Sequence, residues 1–124
     1  MLSKITLAVT AAPFLLAATP AAAPMSAASF LAKAERLEKK GPLAVFSKDL
    51  KLLKRELDTA SKQYRSLIDR QKKTGQKPHS CPPEKGSMDS DELIGHVRAI
   101  PAKQRAAIPF RSAFLSLMKK KYPC

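Results

Sequence analysis

Cys81 and Cys124 are the only cysteines of a 124-residue chain, and the second is its last residue. Each stands beside proline, in Cys81-Pro82-Pro83 and in Tyr122-Pro123-Cys124. Prolines at these places break regular structure on either side of the segment between them. If the two sulfurs join, that segment must fold back so that its ends meet. The pair therefore constrains the C-terminal third more than any stretch of hydrophobic pattern does.

Whether the sulfurs join depends on the compartment. Met1–Lys4 is a short region with one positive charge, and Ile5–Ala18 is apolar. The small residues of Thr19–Ala23 follow. This order is that of a secretory signal peptide over residues 1–23. The cut is expected between Ala21 and Ala28, with small residues before each candidate bond. An uncleaved membrane anchor is the competing reading, but Pro13, Pro20 and the weakly apolar alanines weaken it. Export to a periplasmic or extracellular space makes one disulfide, Cys81–Cys124, the expected state of the pair. The chain-entropy model gives roughly 4 kcal/mol for closing a loop of about 44 residues. An intermolecular bond and a metal site remain as alternatives. His79, Cys81, His96 and Cys124 match no familiar zinc spacing, however.

Residues 24–124 are enough for one small domain. The chain has four glycines and no tryptophan, and alanine, leucine, lysine and arginine dominate, which favours helices. A first helix is expected from about Ser26 to Lys40, with Phe30, Leu31, Ala34 and Leu37 on one face. Glu35 and Lys39 form a surface pair on it. Gly41-Pro42 stops it, with glycine in a left-handed position. Phe46, Leu50, Leu53, Leu57, Ala60, Tyr64 and Leu67 then recur in steps of four and three. That spacing predicts a long second helix ending near Lys73. It begins either near Pro42 or after a break at Ser47. The stripe could fill a bundle core or, over three heptads, pair with a second chain. Gly75–Ser87 reads as a loop.

A third helix starts at Asp89, whose carboxylate with Glu92 has the shape of a capping box. Its buried face is Leu93, Ile94, Val97 and Ile100. Pro101–Ala107 reads as a short helical turn. Pro109 is placed as the first residue of a last helix that carries Phe110, Ala113, Phe114, Leu117 and Met118. Lys119–Lys121 suit its C-terminal dipole. The expected fold is an all-α bundle of about four to five helices stapled by one disulfide, in a single domain.

The formal net charge is +13, from 23 Lys and Arg against 10 Asp and Glu. On a helical wheel Lys48, Lys51, Arg55, Lys62 and Lys73 lie opposite the apolar stripe. Such a face would attract an anionic lipid or cell-wall polymer, with salt-sensitive binding. Export, and the lack of aromatics among these cations, argue against nucleic acid. No G-x-S-x-G, H-E-x-x-H or glycine-rich phosphate loop is present. A Cys81 nucleophile with His79 or His96 would need a free thiol while Cys124 stands available as its partner. Capping accounts for Asp89, Asp91 and Glu92. The residues predict no enzyme, cofactor or metal.

The chain also carries Cys81-Pro82, then Asp89-Ser90-Asp91-Glu92-Leu93, then Val97-Arg98 leading to Pro101. Ala113-Phe114 and Tyr122-Pro123-Cys124 follow. Over this third of its length it resembles the Rap/Tai family of exported immunity proteins. That resemblance implies a small helical periplasmic domain whose disulfide maps onto Cys81 and Cys124. It implies binding to a peptidoglycan amidase delivered by type VI secretion, with no catalysis by the immunity protein itself. The cysteine-free N-terminal half carries the basic helix instead. Partner contacts are expected from the polar Gly75–Ser87 loop, at Lys77, His79 and Lys85, since loops on a rigid scaffold commonly carry recognition. The alternative from the charge is a cationic envelope-associated protein.

Overall fold

The computed structural model describes residues 24–124. The expected leader, residues 1–23, lies outside them. Five α-helices form an all-α bundle: α1 (Ala27–Lys40), α2 (Lys48–Lys73), α3 (Ser90–Ala99), α4 (Ala102–Ala107) and α5 (Phe110–Lys121). A 3₁₀ turn over Gly41–Phe46 joins α1 to α2. No described helix is long and apolar enough to cross a membrane.

Helix α1 starts where the sequence places it. The Ser26 side chain accepts from the Ser29 N–H at 3.0 Å and satisfies one of the first-turn donors. Its N-terminus is also tied to α5. Ala27 N–H donates to Ile108 O at 3.0 Å, and Phe110 N–H donates to Met25 O at 2.7 Å. Pro109 is the cap of α5 rather than its first residue. Lacking an N–H, it adds no unsatisfied donor there. Gly41 ends α1 at φ 55° and ψ −130°, a combination open to glycine and strained for other residues. The chain then makes the 3₁₀ turn, and α2 starts at the Ser47 cap, whose hydroxyl accepts from Asp49 N–H. Of the two starts considered for α2, the break at Ser47 is the one realised.

α1 is the hub and packs against every other helix. An aromatic series crosses the core. Phe30 of α1 stacks on Phe110 of α5 at 3.8 Å between centroids, and Phe114 contacts both Phe110 and Tyr64. Leu53, Ala60, Tyr64 and Ile68 of α2 are buried in this same core. Much of the stripe is thus used within the chain, while Leu50 and Leu57 stay half-buried. It departs from the expected seam at both ends. Ile68 replaces Leu67, because a straight 3.6-residue helix drifts from a 3.5-residue repeat. Phe46 lies outside the helix and faces solvent. Glu35 meets Arg98 at 3.7 Å rather than forming an ion pair with Lys39, joining α1 to α3.

Cys81 and Cys124 are bonded, with their Cα atoms 5.0 Å apart. Cys81 N–H also donates to Tyr122 O at 2.8 Å, so the backbone holds the two segments together beside the sulfurs. Asp89 caps α3 through Glu92 N–H at 2.8 Å. The Glu92 carboxylate instead takes a 2.7 Å bond from Lys121 Nζ, whose other acceptor is Ser87 O. A lysine read as a dipole partner for α5 thereby ties α5 to α3 and to the loop. Glu92 raises the Lys121 pKa by favouring its charged form.

Candidate functional site

Four regions of the surface stand apart from plain solvated helix. The first is the Gly75–Ser87 loop. It emerges from Gly75, at φ 69°, and is bolted to α2. His79 N–H donates to Gln71 Oε1 at 2.8 Å, and Arg65 Nη1 donates to Pro83 O at 3.0 Å. Ser80 is 1% exposed, and its hydroxyl pairs with that of Tyr64, itself 3% exposed. Without Ser80 the Tyr64 hydroxyl would be a buried polar orphan. His79 packs edge-on against the Tyr64 ring, and its Nδ1 lies 3.1 Å from Ser80 Oγ. Of the three loop residues singled out from sequence, His79 is half-buried and helps to fasten the loop. Lys77 and Lys85 are exposed. The structure does not gather the three into one cluster of contacts.

The second region is the cationic face of α2. Lys48, Lys51, Arg55, Lys62 and Lys73 are all exposed, as the wheel predicts. Lys62 pairs with Asp58 at 2.8 Å. The other four have no ion-pair partner among the described residues.

The third is the 3₁₀ turn between α1 and α2. Leu43, Val45 and Phe46 are 67%, 65% and 85% exposed. The turn is nonetheless anchored. Lys40 Nζ bonds the Ser47 hydroxyl at 3.3 Å. Arg36 Nε bonds Asp49 at 3.0 Å, with Lys33 at 3.9 Å from the same carboxylate. The Arg36 hydrogen bond is the main cause that holds Asp49 below the ordinary carboxylate range. Sequence reasoning missed this site because it placed Phe46 in the α2 seam. The available signal was the run Leu43-Ala44-Val45-Phe46 directly after Gly41-Pro42, apolar residues with no helical period to bury them.

The fourth is an apolar groove of about 710 Å³. α2 and α3 do not pack extensively on each other. The space between them is walled by Leu50 and Leu57 of α2 and by Ile94 of α3. Met88 and Tyr122 close one end, and Leu37 lies toward the other. Phe30 and Phe114 contribute its floor. No residue of this groove was assigned to a site from the sequence, because the gap arises from how the two helices diverge.

The arrangement offers little for nucleophilic chemistry at its cysteines and histidines. Both sulfurs are in the disulfide, so the Cys–His pair considered from sequence has no thiolate. His96 Nε2 lies 2.7 Å from Ser116 Oγ, but that hydroxyl donates to Ala113 O at 2.8 Å. It therefore accepts from the imidazole N–H and has no base facing it. Burial, then the charge of Lys120, lowers the His96 pKa. Glu56 and Arg111, at 3.3 Å, compensate each other as charges between α2 and α5 although off line for a hydrogen bond.

No family model matches this chain, and no curated protein or solved structure gives a match either.

Proposed function

We propose that this chain is an exported, non-enzymatic binding protein of the immunity type, which neutralises a secreted peptidoglycan amidase by docking onto it. The observation that carries the reading is the exposed triad Leu43, Val45 and Phe46 on an anchored turn. Large apolar side chains held out in water on a fixed support are characteristic of interface centres, where one aromatic anchor can dominate affinity. The rigid loop presents Lys77 and Lys85 as a polar second contact. The choice of an amidase as partner rests on the sequence resemblance of Cys81–Cys124. Export rests on the leader-like residues 1–23 and accords with the disulfide.

The test is a pull-down from periplasmic extract with the tagged, oxidised protein at moderate salt. A single stoichiometric partner with amidase activity, inhibited on binding, is expected. Recovery of no such partner sinks the reading.

The exposed cations Lys48, Lys51, Arg55 and Lys73 favour a second reading, an envelope protein binding anionic lipid or wall polymer. It predicts binding to anionic vesicles that disappears at high salt and on charge reversal of Lys48, Arg55 and Lys62.

A further inference from the structure

The groove between α2 and α3 has a chemistry of its own, separate from the exposed turn and from the partner reading. Its volume of about 710 Å³ lies in the range of ligand pockets. The α2 wall from Leu50 to Arg65 runs about 22 Å at 1.5 Å per residue. That is longer than the acyl chain of one bilayer leaflet, about 15 Å. The lining is mainly apolar, both aliphatic and aromatic, with Met88 and Met118 as adaptable members.

One end differs. Gly86 lies there, and a methyl group placed on it would sit 2.8 Å from the Tyr122 hydroxyl and 3.8 Å from Arg65 Nη2. A guanidinium nitrogen and a phenol thus converge on one point beside the backbone. Arg65 spends Nη1 on the Pro83 carbonyl and forms no ion pair among the described residues. The acids on the groove rim are already engaged. Glu38 faces Arg98 at 3.8 Å, and Asp89 caps α3. Lys54, also on the rim, has no ion-pair partner among the described residues. Lys54 and Arg65 thus stand beside the apolar trough as cations with no ion-pair partner among the described residues.

We propose that this groove binds a medium- to long-chain fatty acid. The acyl tail lies along α2 between Leu57 and Ile94 toward Leu50 and Leu37. The carboxylate accepts from Arg65 Nη2 and the Tyr122 hydroxyl at the Gly86 end. A carboxylate suits this point because guanidinium and phenol are both donors, and a charge-assisted bond to arginine is among the stronger polar contacts. Absence of a side chain at Gly86 lets the Tyr122 hydroxyl approach the backbone beside Arg65 Nη2, and bulk there would displace it.

The experiment uses the full oxidised protein with laurate, below its aggregation concentration, read by native mass spectrometry and by displacement of a dansyl-labelled fatty acid. A one-to-one laurate complex is expected. 1-Dodecanol, with the same tail and no charge, binds at least tenfold more weakly. Arg65→Gln and Gly86→Val each weaken laurate at least tenfold, and Leu57→Trp blocks the tail. Lys103→Glu, on α4, leaves binding unchanged and controls for net charge. Circular dichroism establishes that each variant is folded, and the dodecanol comparison needs no variant at all. The proposal is overturned if no one-to-one complex forms, or if dodecanol binds as well as laurate. It is overturned equally if Arg65→Gln or Gly86→Val binds like the parent, or if Lys103→Glu weakens binding as much as they do. Tighter binding of a lysophospholipid, or occupation of the groove only by an acidic helical peptide, also overturns it.

Discussion

The two ends of α2 are built to opposite purposes. At the C-terminal end polar contacts fasten the loop to the helix. Tyr64 meets Ser80, Gln71 holds His79, Arg65 holds Pro83, and the disulfide fixes Cys81 to the end of α5. At the N-terminal end the chain is anchored by polar contacts through Ser47 and Asp49, while Leu43, Val45 and Phe46 project into solvent. A small domain gains from burying each large apolar group it has. That three are left out, next to a well-made cap, points to a cost accepted for contact with something else. The contacts that hold the fold gather at one end, and the exposed apolar turn stands at the other.

The sharpest way to break this contrast is to cut the staple. Cys81→Ser with Cys124→Ser is expected to lower unfolding free energy by about 2–5 kcal/mol, measured by urea denaturation. A loss near zero would mean that the hydrogen bonds of the loop suffice without it. Next is Tyr64→Phe, which takes Tyr64 from the buried Ser80 hydroxyl and leaves it only His79 Nδ1. It should cost about 1–3 kcal/mol in the same assay and loosen amide protection through the loop. Loss confined to the exposed turn would contradict the assignment of Tyr64 to the loop end.

Acid should act in two steps, one on α3 through His96 and one on the anchored turn through Asp49. His96 and Asp49 both have depressed pKa values in the folded chain. Each therefore contributes stability above its unfolded pKa, and that contribution is lost as pH falls through the folded value. The thermal midpoint should decline first below about pH 6.5, the His96 step, and again below about pH 4, the Asp49 step. His96→Gln should remove the first decline and leave the second. An unchanged upper step in His96→Gln would refute the assignment.

The helical parts of this design were legible in the sequence for identifiable reasons. Ser26, Asp89 and Gly41 are local signals whose chemistry acts within a few residues, and they mark α1 and α3 in the structure. The stripe from Leu53 to Tyr64 follows helical geometry directly. The cysteine pair needed only the compartment. Features set by how helices diverge were not legible. The groove exists because α2 and α3 separate, and the meeting of Arg65, Gly86 and Tyr122 joins residues far apart in the chain. Phe46 fitted a four-three spacing with Leu50 and Leu53, and periodicity alone could not show that Ser47 ends the helix before reaching it. The role of His79 was hidden for a similar reason, since its partners Tyr64 and Gln71 come from another element.

The measurement that tests the central claim most directly is Phe46→Ser, followed both by urea denaturation and by calorimetric titration, at fixed salt, against the amidase partner proposed above. Stability should stay within about 0.5 kcal/mol of the parent, because the side chain is exposed. Affinity should fall about 30-fold or more, as expected for an aromatic anchor at an interface centre. A variant that binds as tightly as the parent, or one that is strongly destabilised, would contradict the separation of binding surface from fold.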